Sequence, residues 1–214
     1  MSSSTNDLKL HILGKPNSGK STLFNYLCGE NLSPTGDEYG LTKKNFTADF
    51  CFNSHKFIIN DTPGLRRKNK INDKSEQIRN KNTILILKQI DVALLLVDSI
   101  ENITKQDFRI IDQALKRKKI VFVVFTKFDL VNDKKNFRDK TKKFLKFNYH
   151  QYNDINLEFI SVKSKLNINK LLKKIIEKKA LLAKKIPKKI IKKFTNKLIN
   201  ENRYPKQGGL TIKS

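Results

Sequence analysis

Gly14-Lys15-Pro16-Asn17-Ser18-Gly19-Lys20-Ser21 has the spacing G-x-x-x-x-G-K-[ST] of a loop that wraps phosphate groups. Its neighbours give the pattern weight. An apolar segment over 8–13 precedes it as a strand, and residues 22–28, starting at Thr22, follow it as a helix. Glycines let successive backbone N–H groups close on an anion at a helix N-terminus. Lys20 then stands where the β- and γ-phosphates lie, and the Ser21 hydroxyl where it can ligate Mg²⁺. A glycine-rich surface turn would require neither the strand before nor the helix after.

Working outward, residues 92–97 and 120–125 are short, nearly continuous apolar runs bounded by charge and rich in β-branched types. Such runs are expected of parallel strands buried on both faces. A shorter run at 157–162 reads as a further strand. Residues 106–118 place Phe108, Ile111 and Leu115 on one helical face, and 167–183 do the same with Ile168, Leu171, Leu172, Ile175 and Ile176. Residues 45–60 alternate on either side of Asn53 and Ser54, which predicts a hairpin with one antiparallel edge strand. Strands alternating with helices give an α/β fold of the P-loop type: a mostly parallel sheet, one antiparallel edge strand, and helices on both faces.

Two further motifs belong at the same edge of that sheet. Asp61-Thr62-Pro63-Gly64 follows the apolar residues 57–59. Asp61 can there hold Mg²⁺ through a water, and the Gly64 N–H can meet a γ-phosphate. Alone, D-x-P-G is a common turn; some forty residues after a phosphate loop it reads as a γ-phosphate sensor. Thr126-Lys127-Phe128-Asp129 ends the run 120–125 and occupies the place of an N-K-x-D guanine-reading motif. The Asp129 carboxylate can accept from guanine N1–H and the 2-amino group, which adenine cannot match. Thr126 stands where an Asn amide would tie the base loop to the phosphate loop, so loss of that tie is the expectation. Ser161-Val162-Lys163 resembles a loop whose backbone amide meets guanine O6. For the threonine that closes over Mg²⁺, Thr42 in Gly40-Leu41-Thr42-Lys43 is the candidate, with Thr35 also available.

The 214 residues suffice for a domain with an appendage. Residues 1–7 read as a polar tail, 8–183 as the nucleotide domain, and 184–214 as a basic linker and the incomplete start of a further domain. In that last part Ile190, Phe194 and Leu198 suggest an amphipathic helix before the Tyr204-Pro205 break. Cys28 and Cys51 fit neither a redox pair nor a zinc pattern and are expected to be small buried hydrophobes in a reducing compartment. No apolar run is long enough to span a bilayer, so the expectation is a cytoplasmic protein without a membrane partner. The net charge of +25 suits RNA. Lysine greatly outnumbers arginine and Asn and Ile are abundant, so codon bias explains the charge equally well.

With these residues in hand, Gly14 to Leu27 (GKPNSGKSTLFNYL) is similar to the phosphate loop and first helix of Era-, Der- and MnmE-like GTPases. Asp61 to Lys70 (DTPGLRRKNK), residues 87–98 and Ile103-Thr104-Lys105-Gln106-Asp107 resemble the second G domain of the Der (EngA) ribosome-assembly GTPases, and residues 184–213 resemble the first helix of their KH-like domain. The resemblance implies a Ras-like G domain that exchanges GTP and GDP, hydrolyses GTP with Mg²⁺, and contacts rRNA and the large ribosomal subunit. It implies nucleotide contacts from Gly14 through Thr22, Asp61 through Leu65, Thr126 through Asp129, and Ser161, Val162 and Lys163. Mg²⁺ would be held by Ser21, Thr42 and Asp61.

Leu65 occupies the place of a water-orienting glutamine. By the same resemblance Asn17 would hold a K⁺ ion that replaces an arginine finger, so Asn17, Lys20, Thr42 and Gly64 carry the catalytic roles. The basic run Arg66 to Lys70 is then an expected rRNA contact. Three alternatives remain at this stage: an RNA or ribosome scaffold that holds nucleotide without turnover, another Era-like GTPase, and an ATP-dependent kinase. Asp129 argues against the kinase. The sequence does not address oligomeric state.

Overall fold

The two long apolar runs become neighbouring central strands, β4 (Val92–Asp98) and β5 (Ile120–Thr126), paired in parallel from Val92 opposite Ile120 to Asp98 opposite Thr126. The computed structural model describes residues 7–29, 46–61, 85, 87–101, 103–148 and 155–200. Within these, β1 (Leu8–Gly14) lies between β4 and β3 (His55–Asp61), parallel to both. β2 (Phe46–Phe52) is the antiparallel edge beside β3, and β6 (Asn156–Phe159) is the other edge, so the sheet order is β2-β3-β1-β4-β5-β6. Asn53 and Ser54, with φ of 47° and 61°, form the two-residue turn between β2 and β3. Positive φ at both central positions matches the right-handed twist of the flanking strands.

Helices cover both faces. On one face, Leu23 and Phe24 of α1 (Lys20–Cys28) and Ile168, Leu171, Leu172 and Ile175 of α4 (Ile168–Ala183) pack on Leu10, Ile12, Leu94 and Phe122. On the other, Phe108, Ile111 and Ala114 of α2 (Lys105–Lys116) and Leu145 of α3 (Lys134–Asn148) pack on Leu13, Leu95, Val123 and Phe125. The predicted parallel strands, hairpin and two-sided helical cover are all present.

Several boundaries differ from the sequence reading. α2 runs Lys105–Lys116 and buries Ala114, while Leu115 is exposed. At 100° per residue Leu115 still falls between Phe108 and Ile111 in angle, and it is exposed where it stands in the last turn of α2. The run at 157–162 is a strand only to Phe159, because Ser161 turns back to bridge Leu166. α4 begins at Ile168, since Asn167 has φ of 60°. Cys51 is exposed and Cys28 half-buried, against the expectation that both are buried; Cys51 faces outward on the edge strand.

Two compact units are distinguished, Met1–Glu177 and Lys178–Ser214, with the division inside α4. In the second unit, α5 (Lys188–Asn200) starts after Pro187, whose carbonyl accepts the Ile190 N–H at 2.9 Å. Proline lacks the N–H that a first turn leaves unused. Ile190, Ile191 and Phe194 of α5 are exposed. No helix among the described residues is long and apolar enough to cross a membrane.

His11 sits mid-strand on β1, 2% exposed, on the opposite face from Leu10 and Ile12. Burial pushes its pKa from 6.5 down to about 4. Between those values the unfolded chain takes up a proton that the folded chain refuses, so stability falls as pH falls. From pH 7 to about pH 5 the loss from His11 is about 2 kcal/mol. Urea midpoints at the two pH values should show it, and a His11→Leu variant should lose that part of the pH dependence.

Candidate nucleotide site

Parallel pairing brings the C-terminal ends of β1, β3, β4 and β5 to one edge of the sheet. Gly14 lies opposite Leu96, Asp61 opposite Ile12, and Asp98 opposite Thr126. In open α/β sheets ligands bind at this edge, where strand order reverses about the first strand.

Gly14 ends β1 with φ of 142°, a conformation that L side chains rarely adopt. The chain then turns through Lys15, Pro16, Asn17 (φ 62°) and Ser18 to Gly19 (φ 86°), which caps α1. Inside the turn, the Lys15 carbonyl accepts the Ser18 hydroxyl at 2.9 Å, the Ser18 N–H at 3.4 Å and the Lys20 ammonium. Lys20 and Ser21 therefore open α1, with Lys20 buried against the loop and Thr22 exposed one position on. This is a concave backbone whose N–H groups and lysine suit an anion.

The second loop leaves β5 at Thr126, which is buried. Its hydroxyl lies 2.9 Å from the Ser18 carbonyl and 3.3 Å from that of Val97. The expected loss of a tie between the two loops is therefore corrected: the threonine hydroxyl makes it, as a donor short enough to reach the backbone directly. Lys127, with φ of 52°, pairs with Asp98 at 2.7 Å and begins a short 3-10 turn, Phe128–Leu130. Phe128 is fully buried among Phe137 and Phe159, with the Arg138 guanidinium 4.9 Å above its ring. It anchors the turn and leaves Asp129 at the surface.

A third loop follows β6. The Ile160 carbonyl accepts the Phe128 N–H at 3.0 Å, binding this loop to the base loop. Ser161 is buried, and its hydroxyl accepts the Ser164 N–H at 3.1 Å. The same hydroxyl donates to Asp129. That bond, with Lys163 and Lys134 nearby, holds the Asp129 carboxyl below the usual range against the opposing pull of partial burial. Asp129 is thus ionised at neutral pH, an acceptor for paired N–H donors. Val162 is half-buried and Lys163 exposed beside it. From the sequence alone Ser161 has only a backbone role; its side-chain role needs the β6 turn to bring it to Asp129.

The structure thus unites Gly14 through Thr22, Thr126 through Asp129, and Ser161 through Lys163, with the Asp61 backbone ending β3 at the same edge. Thr42, Thr62, Pro63, Gly64, Leu65 and the Arg66 to Lys70 run lie outside the described residues, as do Thr35 and Leu41. Asp98, Ser99 and Asp107 also bear on the site, although the sequence alone assigns none of them a role there. Ser99 donates its N–H (3.0 Å) and its hydroxyl to the Thr126 carbonyl. Only the position of Asp98 at the end of a buried apolar strand, beside the two loops, could have signalled it.

A phosphate loop joined by a hydrogen bond to a guanine-type base loop, on a parallel sheet in this order, defines a P-loop GTPase domain. The comparisons narrow the class. The profile of the family described as 50S ribosome-binding GTPase matches residues 9–127, more than half of the chain, and the chain belongs to that family. It is similar to GTPase Der of Borreliella burgdorferi, at 32% identity over 195 residues, covering 91% of this chain and 45% of that protein. GTPase Der of Mycoplasmopsis agalactiae is 33% identical over 183 residues, covering 86% and 42%. The chain therefore spans less than half the length of these relatives. Among solved structures, Era in complex with MgGDPNP and a 16S ribosomal RNA segment superposes with a TM-score of 0.67 at 26% identity, covering 80% of this chain and 56% of that one. The bacterial selenocysteine-specific elongation factor shares the fold, with a TM-score of 0.60 at 22% identity and coverage of 80% and 29%.

Proposed function

We propose that this chain binds GTP, hydrolyses it to GDP and phosphate, and serves as the switch of a cytoplasmic protein that acts in assembly of the large ribosomal subunit. The observation that carries the nucleotide reading is the Thr126–Ser18 hydrogen bond. It fixes the distance between a phosphate loop and a base-reading carboxylate whose ionised form Ser161 further stabilises. The ribosomal reading is supported by the family description, by the Der relatives, and by the rRNA in the Era complex. Its place within a Der-like protein would be the second G domain, with residues 184–214 opening a KH-like domain.

Within this reading Lys20 leaves the Lys15 carbonyl for the β- and γ-phosphates, while backbone N–H groups from Asn17 to Ser21 surround them. Asp129 takes the guanine N1–H and 2-amino group, and the backbone at Val162 meets O6. Ser21 at the start of α1 and Asp61 at the end of the adjacent β3 are hard oxygen donors on one sheet edge, which suits Mg²⁺. Thr42 would complete that set. Bound Mg²⁺ neutralises charge on the β- and γ-phosphates. Gly64 would offer its N–H to the γ-phosphate. Asn17, exposed at the crest of the phosphate loop, offers an amide oxygen to K⁺. Arg66 to Lys70 would contact rRNA phosphates.

The test is turnover by the purified chain with Mg²⁺, using GTP and ATP, in potassium and in sodium buffers. GTP turnover well above ATP turnover, rising at least about tenfold in potassium, is the expected result. Equal rates in the two salts would remove Asn17 from its role. Tight GTP binding with no turnover in either salt would leave a nucleotide-holding scaffold as the better account.

A further inference from the structure

The segment from Asp98 to Asp107 touches both nucleotide loops. At its start, Asp98 pairs with Lys127 and Ser99 holds the Thr126 carbonyl. At its end, Asp107 in the first turn of α2 faces the phosphate loop: its carboxylate oxygen lies 3.7 Å from the Lys15 ammonium, with Glu101 at 3.6 Å from the same nitrogen. The three groups differ in exposure. The Asp107 side chain is 3% exposed, Lys15 is 15% exposed, and Glu101 is 55% exposed.

We propose that Asp107, acting through Lys15, is a positioning residue that holds the phosphate loop in its nucleotide-ready shape from the N-terminus of α2. Asp107 has its own local task, since the same oxygen accepts the Thr104 N–H at 2.8 Å and the Thr104 hydroxyl at 2.6 Å. These two neutral donors cap the helix but leave a buried negative charge to be balanced. Lys15 is the cation that approaches it. A buried charge stripped of its partner is strongly unfavourable, so the pair resists separation. Lys15 is also the residue whose carbonyl gathers Ser18 and Lys20. Pinning its side chain therefore orients the peptide on which the loop is built. Glu101, largely solvated, contributes little to the hold.

The inference rests on the nucleotide reading above, and a double-mutant cycle on equilibrium GDP affinity separates the two. Asp107→Asn keeps an oxygen for the Thr104 N–H while removing the charge, and Lys15→Met keeps the stem while removing the ammonium. Each is expected to raise the GDP Kd about tenfold, and the double variant to raise it no further, because a shared pair is lost only once. Thr104→Val removes one neutral donor to Asp107 and weakens the cap but keeps both charges of the pair; it should lower the melting temperature and leave the Kd within about twofold. If Asp107→Asn does not fold, Lys15→Arg beside Lys15→Met serves instead, with Arg restoring affinity and Met not. An unchanged Kd in Asp107→Asn and Lys15→Met, or losses that simply multiply in the double variant, would overturn the role of Asp107. Failure of the unaltered chain to bind GDP would instead overturn the nucleotide reading, and this inference with it.

Discussion

Replacement of Asp129 with Asn is expected to weaken GDP and GTP binding by roughly 10² to 10⁴-fold, with little change in stability. The carboxylate would accept two hydrogen bonds from guanine, each worth about 1.5–3 kcal/mol because the acceptor is ionised. An amide offers one oxygen and one NH₂, so one of the two base donors then faces another donor. The same amide matches a base with a carbonyl in place of the 2-amino group, and affinity for xanthosine diphosphate should rise. The loop itself should persist, because Phe128 and its hydrogen bond to Ile160 anchor it independently of residue 129. Calorimetric titration with GDP and xanthosine diphosphate decides the matter. A variant that binds GDP within about threefold of the unaltered chain would mean that Asp129 does not read the base.

The second large effect is expected at Gly14. Its φ of 142° strains any side chain, and an added Cβ would fall inside contact distance of the Leu96 carbonyl oxygen and 2.8 Å from the Ser18 hydroxyl. Leu96 is its partner across the β1–β4 ladder, so relief would require the central pairing to open. Gly14→Ala should therefore cost about 3 kcal/mol or more and abolish nucleotide binding. Gly19→Ala is the instructive comparison. There φ is 86°, but the new Cβ would sit 3.8 Å from Thr126, in ordinary contact. Strain without collision should cost only about 1–2 kcal/mol. Equal urea midpoints for the two variants would contradict the steric account of Gly14.

The difference between those two glycines could not be seen in the sequence, where both are simply fixed positions of one motif. What could be seen followed from strong local signals. The runs at 92–97 and 120–125 are apolar throughout because both sheet faces are covered, and the phosphate loop lies between a strand and a helix that its chemistry requires. α3 does not stand out in the sequence: the half-buried Phe137 and the buried Leu145 are its anchors, separated by Lys140, Lys142 and Lys143, so its apolar stripe is too thin against a basic background. Residue type alone does not reveal the role of Thr126, because a hydroxyl at 2.9 Å from the Ser18 carbonyl makes the tie expected of an amide. The side-chain role of Ser161 and the role of Asp107 are hidden for the same reason. Each acts through a partner dozens of residues away, Asp129 for one and Lys15 for the other, and only the closed sheet makes them neighbours.

The position of β1 between β3 and β4 also has a consequence for how the chain is made. β1 is made before the strands it pairs with, since Leu10 pairs with Ile59 on one side and with Val92 on the other. The β2–β3 hairpin can form from local contacts as soon as it emerges, and it offers β1 its first edge. The other edge of β1 stays unpaired until residue 98 has been added, and β5 must follow before β4 is covered in turn. Long-range parallel pairing is slow, and an apolar edge left open during translation invites pairing with other chains. The newborn protein is therefore most vulnerable to aggregation in the interval between completion of β3 and arrival of β4, and a stalled or truncated product ending there would depend most on chaperones.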